Sequence, residues 1–366
     1  MKNKKWSILL LIFIFLVFSV ITGCTKQTAN ETKEATEVVT DLNDRKVEVP
    51  QNVERIVCIG PGALRLITYM NSTDLVVGVE EGEHKDDWGG AYNLAHPEFK
   101  DLPIIGPNHG GDAELIAAQN PDVIFLYGDS NKAKNLQQKT GVPVVMLDYT
   151  DLGPNRNQGL YKSWRLIGKV LDKEAKAEEL IAYTEELIAD LKKRTEDIPK
   201  KEKPKVYAGA ISYHGGHGII STKVPFPPFT FLNASYVADE LGYEEVQSLM
   251  INQEKILDWD PEIIFIDESN LNLVKQDLRK NQEYKSITAI EKGNIYGFLP
   301  YASYHRNPAT ILANTYYMGK VLYPEEFSDI EPDKKANTIF KKFVGKAVYE
   351  ELAQTYGGFK PIKLKN

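Results

Sequence analysis

Apolar and polar positions alternate over 38–50 and break at Asn43-Asp44, which predicts a hairpin of two short strands. Beyond it the texture changes to short, continuous apolar runs at 55–59, 74–79, 103–106, 123–127 and 142–147. Such runs predict strands buried on both faces. Helical spacing fills 63–70 and 114–119 between them, and the alternation of strand and helix predicts a parallel sheet with helices on both sides. From 172 to 196 there is no Gly or Pro, and Ala177, Leu180, Ile181, Thr184, Leu187, Ile188 and Leu191 form one stripe of period 3.6. This predicts a long amphipathic helix, with Asp172 as its N-cap and Pro199 beyond its end. The strand–helix texture then resumes: a strand from Lys205, helices at 233–241 and 254–258, strands at 263–267 and 294–299, and helices at 310–322, 333–345 and 347–356.

One segment occurs twice. Glu114-Leu-Ile-Ala-Ala-Gln-Asn-Pro121-Asp-Val-Ile-Phe125 aligns without a gap on Glu254-Lys-Ile-Leu-Asp-Trp-Asp-Pro261-Glu-Ile-Ile-Phe265. Each copy reads as a helix led by Glu, a Pro-acid break and a buried strand. The long helix lies between the copies. The organisation that follows is α/β, with two similar lobes, each around a mostly parallel sheet, joined by one long helix. The expected boundaries are a leader at 1–23, a tether at 24–37, an N-terminal lobe at 38–165, a linker helix at 166–200 and a C-terminal lobe at 201–366. Two lobes make a cleft, and the matched Glu114 and Glu254 offer two equivalent docking points.

The start of the chain adds a location. Lys2, Lys4 and Lys5 precede an apolar run at 8–21, too short for a confident membrane span. The run ends in Ile21-Thr22-Gly23-Cys24, which resembles a bacterial lipobox. That resemblance implies cleavage before Cys24, a lipid on its sulfur and anchorage at the outer face of the cytoplasmic membrane; a simple secretory leader with an incidental Cys is the alternative. Loss of 1–23 removes three Lys and no acid, moving the formal charge from −7 to about −10. With no basic, aromatic-interleaved patch, a nucleic-acid partner is not expected. Cys58, in the apolar Ile56-Val-Cys-Ile, has no internal partner once Cys24 carries lipid, and reads as a buried small hydrophobe.

The lipobox-like end, the opening Val53-Glu-Arg-Ile-Val, the helix–Pro-acid–strand unit in each lobe and the connecting helix together resemble the substrate-binding proteins of metal-chelate ABC importers. The resemblance covers roughly 38–366. Ala63-Leu-Arg-Leu, Gly106-Pro-Asn-His-Gly-Gly, Tyr213-His-Gly-Gly-His-Gly-Ile and Ala313-Asn-Thr-Tyr-Tyr-Met-Gly-Lys are similar to receptors for iron complexes within that family. It implies a class III periplasmic-binding-protein fold, a ferric, haem or cobalamin-type chelate as ligand, no resident cofactor, and a permease dimer as partner, docked through Glu114 and Glu254. His214, where related chains often carry Lys, and His305-Arg306, where they often carry Thr-Thr, depart from the pattern in the expected ligand loops.

In open α/β sheets, ligands lie beyond the carboxyl ends of strands. That rule selects Arg65, behind Gly60-Pro61-Gly62, then His109, Tyr127, Tyr213, His214, His217, Tyr301, Tyr304, His305 and Arg306. Backbone N–H groups of the Gly60-Pro61-Gly62 turn are placed to face an anion. Pro225-Phe226-Pro-Pro-Phe229 offers rigid apolar surface. His and Tyr suit a ferric or haem-like complex, and Arg306 suits an anionic chelate. His109, His217 and His305 are the candidates for direct metal ligation. With Glu80 or Glu81 they define the alternative, a receptor for a bare divalent ion. His84 and His96 read as surface. An enzyme is not expected: there is no Gly-x-Ser-x-Gly, no His-Glu-x-x-His and no Cys-based zinc set, and His214-Gly-Gly-His217 alone points toward a metal-dependent hydrolase. The chain is expected to act as a monomer.

Overall fold

The computed structural model describes residues 35–85, 88, 90–149, 152–153 and 157–363. The expected leader, Cys24 with its lipid, and the tether as far as residue 34 lie outside the described residues. The end of that expected tether is already folded, because β1 (Thr36–Thr40) pairs antiparallel with β2 (Lys46–Pro50), Val38 opposite Glu48. The turn between them is built on Asp41, 2% exposed. Its carboxylate accepts from the backbone N–H groups of Asn43 and Arg45 and from Met146 N–H, which pins the hairpin to the sheet beside it.

The first sheet has the order β4-β3-β5-β6, with β3 at Ile56–Ile59, β4 at Val76–Gly78, β5 at Val123–Leu126 and β6 at Val144–Met146. All its ladders are parallel, and every residue of β3, β5 and β6 is buried. The second sheet has the order β13-β12-β11-β7-β9. Its strands β7 (Lys205–Gly209), β9 (Ser235–Tyr236), β11 (Ile263–Asp267) and β12 (Ile295–Phe298) are parallel, and β13 (Lys360–Pro361) closes one edge antiparallel. A separate antiparallel pair, β8 (Ser221–Val224) with β10 (Gln247–Met250), sets Lys223 opposite Ser248.

The repeat is structural down to single hydrogen bonds. Asp112 caps the helix Ala113–Ala118 by accepting from Glu114 N–H at 2.9 Å, and Asn252 caps Gln253–Trp259 by accepting from Glu254 N–H at 2.8 Å. After each helix one residue turns left-handed just before the Pro: Asn120 at φ 47° and Asp260 at φ 43°. The acid after each Pro then clamps the start of the neighbouring strand. Asp122 accepts from Arg55 N–H, and Glu262 accepts from Lys205 N–H.

The long helix runs Glu174–Thr195 with its apolar stripe buried, and packs on the helices Gln158–Val170, Pro227–Phe231 and Pro308–Leu322. Asp172 is not its cap. The preceding helix ends at Val170, so Asp172 is used in the corner between the two at φ 54°, and Lys173 takes the cap position. The helix expected at 233–241 is instead β9 followed by a 3-10 turn, because Ser235 and Tyr236 pair with β7. At 103–106 there is only an isolated bridge from Ile104 to Val79, as Pro103 has no N–H for a ladder. Helices at Ser130–Thr140 and Leu271–Lys280 were not expected; the former buries little beyond Ala133 and Leu136. Beyond β12 the chain crosses back to the first half. The helix Pro332–Val344 packs on Ala63–Tyr69, with Phe343 against Tyr69 at 5.0 Å and Trp164 at 6.1 Å. One apolar core therefore runs through both sheets, and Cys58 is a free, buried thiol within it.

Candidate functional site

Loops at the carboxyl ends of the two sheets meet around a cleft of about 540 Å³. Pro61, Trp88 and His109 line it from the first half. Residues 212–215, Lys223 and Ser248 line it from the second, together with Ala302, Tyr304, His305 and Arg306 from the loop after β12. Of the residues expected to face a ligand, His109, Tyr213, His214, Tyr304, His305 and Arg306 are brought together there. His109, His214, Tyr304 and His305 all have positive φ, between 45° and 88°. For residues other than Gly this costs on the order of 1–3 kcal/mol each and persists where surrounding contacts over-determine the backbone.

Those contacts are explicit. The Tyr304 hydroxyl donates to the Glu80 carboxylate at 2.7 Å and accepts from His109 N–H at 3.1 Å. Its ring packs on Trp88 at 4.5 Å and on His109 at 5.1 Å. The His305 ring stacks on Tyr149 at 4.4 Å and meets Tyr127 edge-on at 5.0 Å. Arg306 Nη1 lies 3.2 Å from His305 Nε2. A guanidinium only donates, so Nε2 accepts and the ring proton sits on Nδ1. Burial holds the His305 imidazole well below its ordinary value, and the charges of Arg306, Arg65 and Lys223 act in the same direction. The ring is neutral. Burial also lowers His109, with a further push from Lys132.

Four of the expected residues are elsewhere. Arg65 is fully buried and spends its guanidinium on the carbonyls of Ser303, Tyr304 and Arg306. Tyr301 is fully buried too, packed on Phe226 at 5.5 Å, with its N–H donated to Asp267. Tyr127 stands behind His305 and outside the lining. His217 donates Nε2–H to the Tyr213 carbonyl at 2.7 Å, which braces the glycine loop. The Gly60 N–H, expected to face a bound anion, meets an anion of the protein: it donates to Glu80, which also receives Gly110 N–H. Glu80 is 3% exposed; burial raises its carboxyl above the ordinary range, and the Tyr304, Gly60 and Gly110 hydrogen bonds pull it down. Phe226 and Phe229 belong to the core, each 1% exposed. His84 and His96 are half-buried, hydrogen-bonded to the carbonyls of Leu102 and Val344. Glu114 and Glu254 are exposed in the first turns of their helices.

Among the described residues no group of three or more His, Cys, Asp or Glu is placed to hold a metal ion. His109, His217 and His305 therefore do not form one site. The residue that the strand-end rule misses is Lys223. It is 4% exposed, its Nζ donates to Ser248 Oγ at 2.9 Å, and it sits 5.5 Å from the centre of the Tyr301 ring. A signal was present: between Lys205 and Asp239, Lys223 is the only Lys, Arg, Asp or Glu. Among the described residues that line it, none is Asp or Glu. The described lining thus offers cations, imidazoles and hydroxyls, which suits an anion rich in oxygen acceptors.

The family described as periplasmic binding protein matches residues 56–301. The molybdate-binding protein MolA of Haemophilus influenzae is 25% identical over 349 residues, 89% of this chain and 95% of that protein. The Fe(3+)-citrate-binding protein YfmC of Bacillus subtilis is 22% identical over 290 residues, 77% of this chain and 86% of that protein. Among solved structures, molybdate-bound MolA superposes with a TM-score of 0.66 at 22% identity, over 85% of this chain and 98% of that one.

Proposed function

Since the chain belongs to the periplasmic binding protein family, whose members act outside the cytoplasm as solute-binding receptors of ABC importers, we propose that its cleft takes an anionic metal species and that the protein delivers it to a permease. The observation that carries this reading is the pair Lys223 and Arg306 at the walls of a cleft in whose lining, among the described residues, there is no carboxylate. An anionic ligand there accepts charge-assisted hydrogen bonds from both groups. The volume of about 540 Å³ lies in the range of sites for small organic molecules. It favours an oxygen-rich chelate, such as a ferric complex of a hydroxycarboxylate or siderophore, over a lone small oxyanion. Relatives named for ferric citrate and for molybdate bracket the same chemistry. The bare-ion alternative is disfavoured because the histidines it needs are dispersed.

The proposal extends to the partner and the anchor. Glu114 and Glu254, presented alike by the two repeat helices, dock on basic residues of the two permease subunits. Each contact is modest because it is exposed, and together they set orientation. A lipid on Cys24 holds the receptor at the membrane; among the described residues no helix is long and apolar enough to cross one. The role is that of a receptor, as in the named relatives, and not of an enzyme.

The test is a titration of the chain from Thr25 onward with ferric citrate, ferric siderophores, haem, cobalamin, molybdate and free divalent ions, read by tryptophan fluorescence. Trp88 lines the cleft whereas Trp164 and Trp259 are in the core, so Trp88→Phe identifies the signal. Saturable quenching by a chelate or oxometalate is expected. Saturation by a bare ion alone would overturn the ligand reading.

A further inference from the structure

The loop after β12 belongs by sequence to the second sheet, yet its contacts change sides between Tyr301 and Ser303. Tyr301 is held by the second half, through Asp267 and Phe226. From Ser303 the first half holds the loop's carbonyls and the side chains of Tyr304 and His305. Arg65 Nη2 donates to the Ser303 carbonyl at 2.6 Å and the Tyr304 carbonyl at 3.3 Å, and Nη1 donates to the Arg306 carbonyl at 2.9 Å. The Tyr149 hydroxyl donates to the same Arg306 carbonyl at 2.7 Å. Glu80, His109 and Trp88 take Tyr304, while Tyr149 and Tyr127 take the His305 ring.

We infer that residues 303–306 work as part of the ligand surface of the first half, and that Arg65 is the positioning residue that holds them there. The inference rests on the cleft being the ligand site. It divides that site into two working walls. Trp88, His109, Tyr304, His305 and Arg306 form a fixed wall; the loop at 212–215, Lys223 and Ser248 form the other. Any relative motion of the halves then separates Lys223 from Arg306, and a ligand bridging the two cations draws the walls together. Arg65 suits this task because its planar fork reaches several carbonyls at once, as a single ammonium group does not. It sits 4.8 Å from the Tyr92 ring centre, which shields the charge on one face.

The test is Arg65→Lys, followed first without ligand. His305, stacked on Tyr149, should give strongly ring-current-shifted imidazole signals, one of six histidines to assign. In the variant these signals should move toward those of an exposed histidine, while His84, His96 and His217 stay in place and the thermal transition remains cooperative. Affinity for whichever of ferric citrate or molybdate saturates the wild type should fall about tenfold to a hundredfold, the usual effect of losing a supporting partner of a ligand-contacting group. Unchanged His305 signals would overturn the assignment. So would displaced signals with unchanged affinity. If neither probe binds the wild type, the ligand reading fails, while the imidazole signals still decide whether Arg65 positions the loop. Should Arg65→Lys not fold, Tyr304→Phe removes only the hydroxyl shared by Glu80 and His109 and is read in the same way.

Discussion

Replacing Lys223 by Met separates the two classes of ligand by the sign of the effect. The substitution keeps an unbranched side chain of similar length and removes the charge, so packing beside Tyr301 is largely retained. Lys223 is 4% exposed, and its ammonium is held at the cleft by Ser248 Oγ at 2.9 Å. A hydrogen bond from such a charged donor to an anionic ligand contributes about 1.5–3 kcal/mol. Its loss should weaken binding of ferric citrate or molybdate by about 10- to 150-fold. A bare cation would instead be relieved of repulsion. Two unit charges of one sign a few ångströms apart repel by about 4 kcal/mol at an effective dielectric near 20, so a divalent ion should bind tighter to the variant. Calorimetric titration of both proteins at low and moderate salt measures the difference. The wild type should lose affinity for the anion more steeply with salt than the variant does. Equal affinity of both proteins for the anionic probe would refute the assignment of the cleft to an anion.

Two further outcomes are expected. Glu114→Ala and Glu254→Ala should leave ligand affinity unchanged and lower uptake in cells, with the double variant the most impaired; full uptake by the double variant would remove both from the docking role. Glu268 is 5% exposed, and burial raises its carboxyl from an ordinary 4.5 to about 8, against the opposing Lys360 charge. The folded protein therefore holds this proton more tightly than the unfolded chain does, so the contribution is fully present below about pH 4.5 and is lost as pH rises toward 8. At 1.36 kcal/mol per tenfold change in proton affinity the loss is on the order of 4 kcal/mol. Glu268→Gln should raise the melting temperature at pH 8 and flatten its fall between pH 5 and 8, leaving the smaller slopes of Glu83 and Asp267, raised by burial to about 7 and about 6. An unchanged slope would show that the carboxyl is not held protonated.

The repeat, the buried strands and the long helix were legible in the chain because their causes are local. Continuous apolar runs make strands that need cover on both faces, and an Asp or Asn two residues before each matched Glu caps its helix without help from afar. The loops carrying His109, His214 and His305 were legible for a related reason: they follow the strands, and strand ends are where such folds bind ligands. Which side chain in those loops reaches the cleft was decided only by the tertiary structure. Tyr301 and Tyr304 are three positions apart, yet one is in the core and the other lines the cleft, because the loop changes its partners between them. Arg65 and Lys223 invert their apparent roles. The arginine behind the glycine turn serves the backbone of a loop 238 residues away, while a lysine in a buried strand lines the cleft. Helical or strand spacing states which face of its own element a residue occupies. What lies opposite that face is set by long-range packing, and at this cleft that packing comes from both halves of the chain.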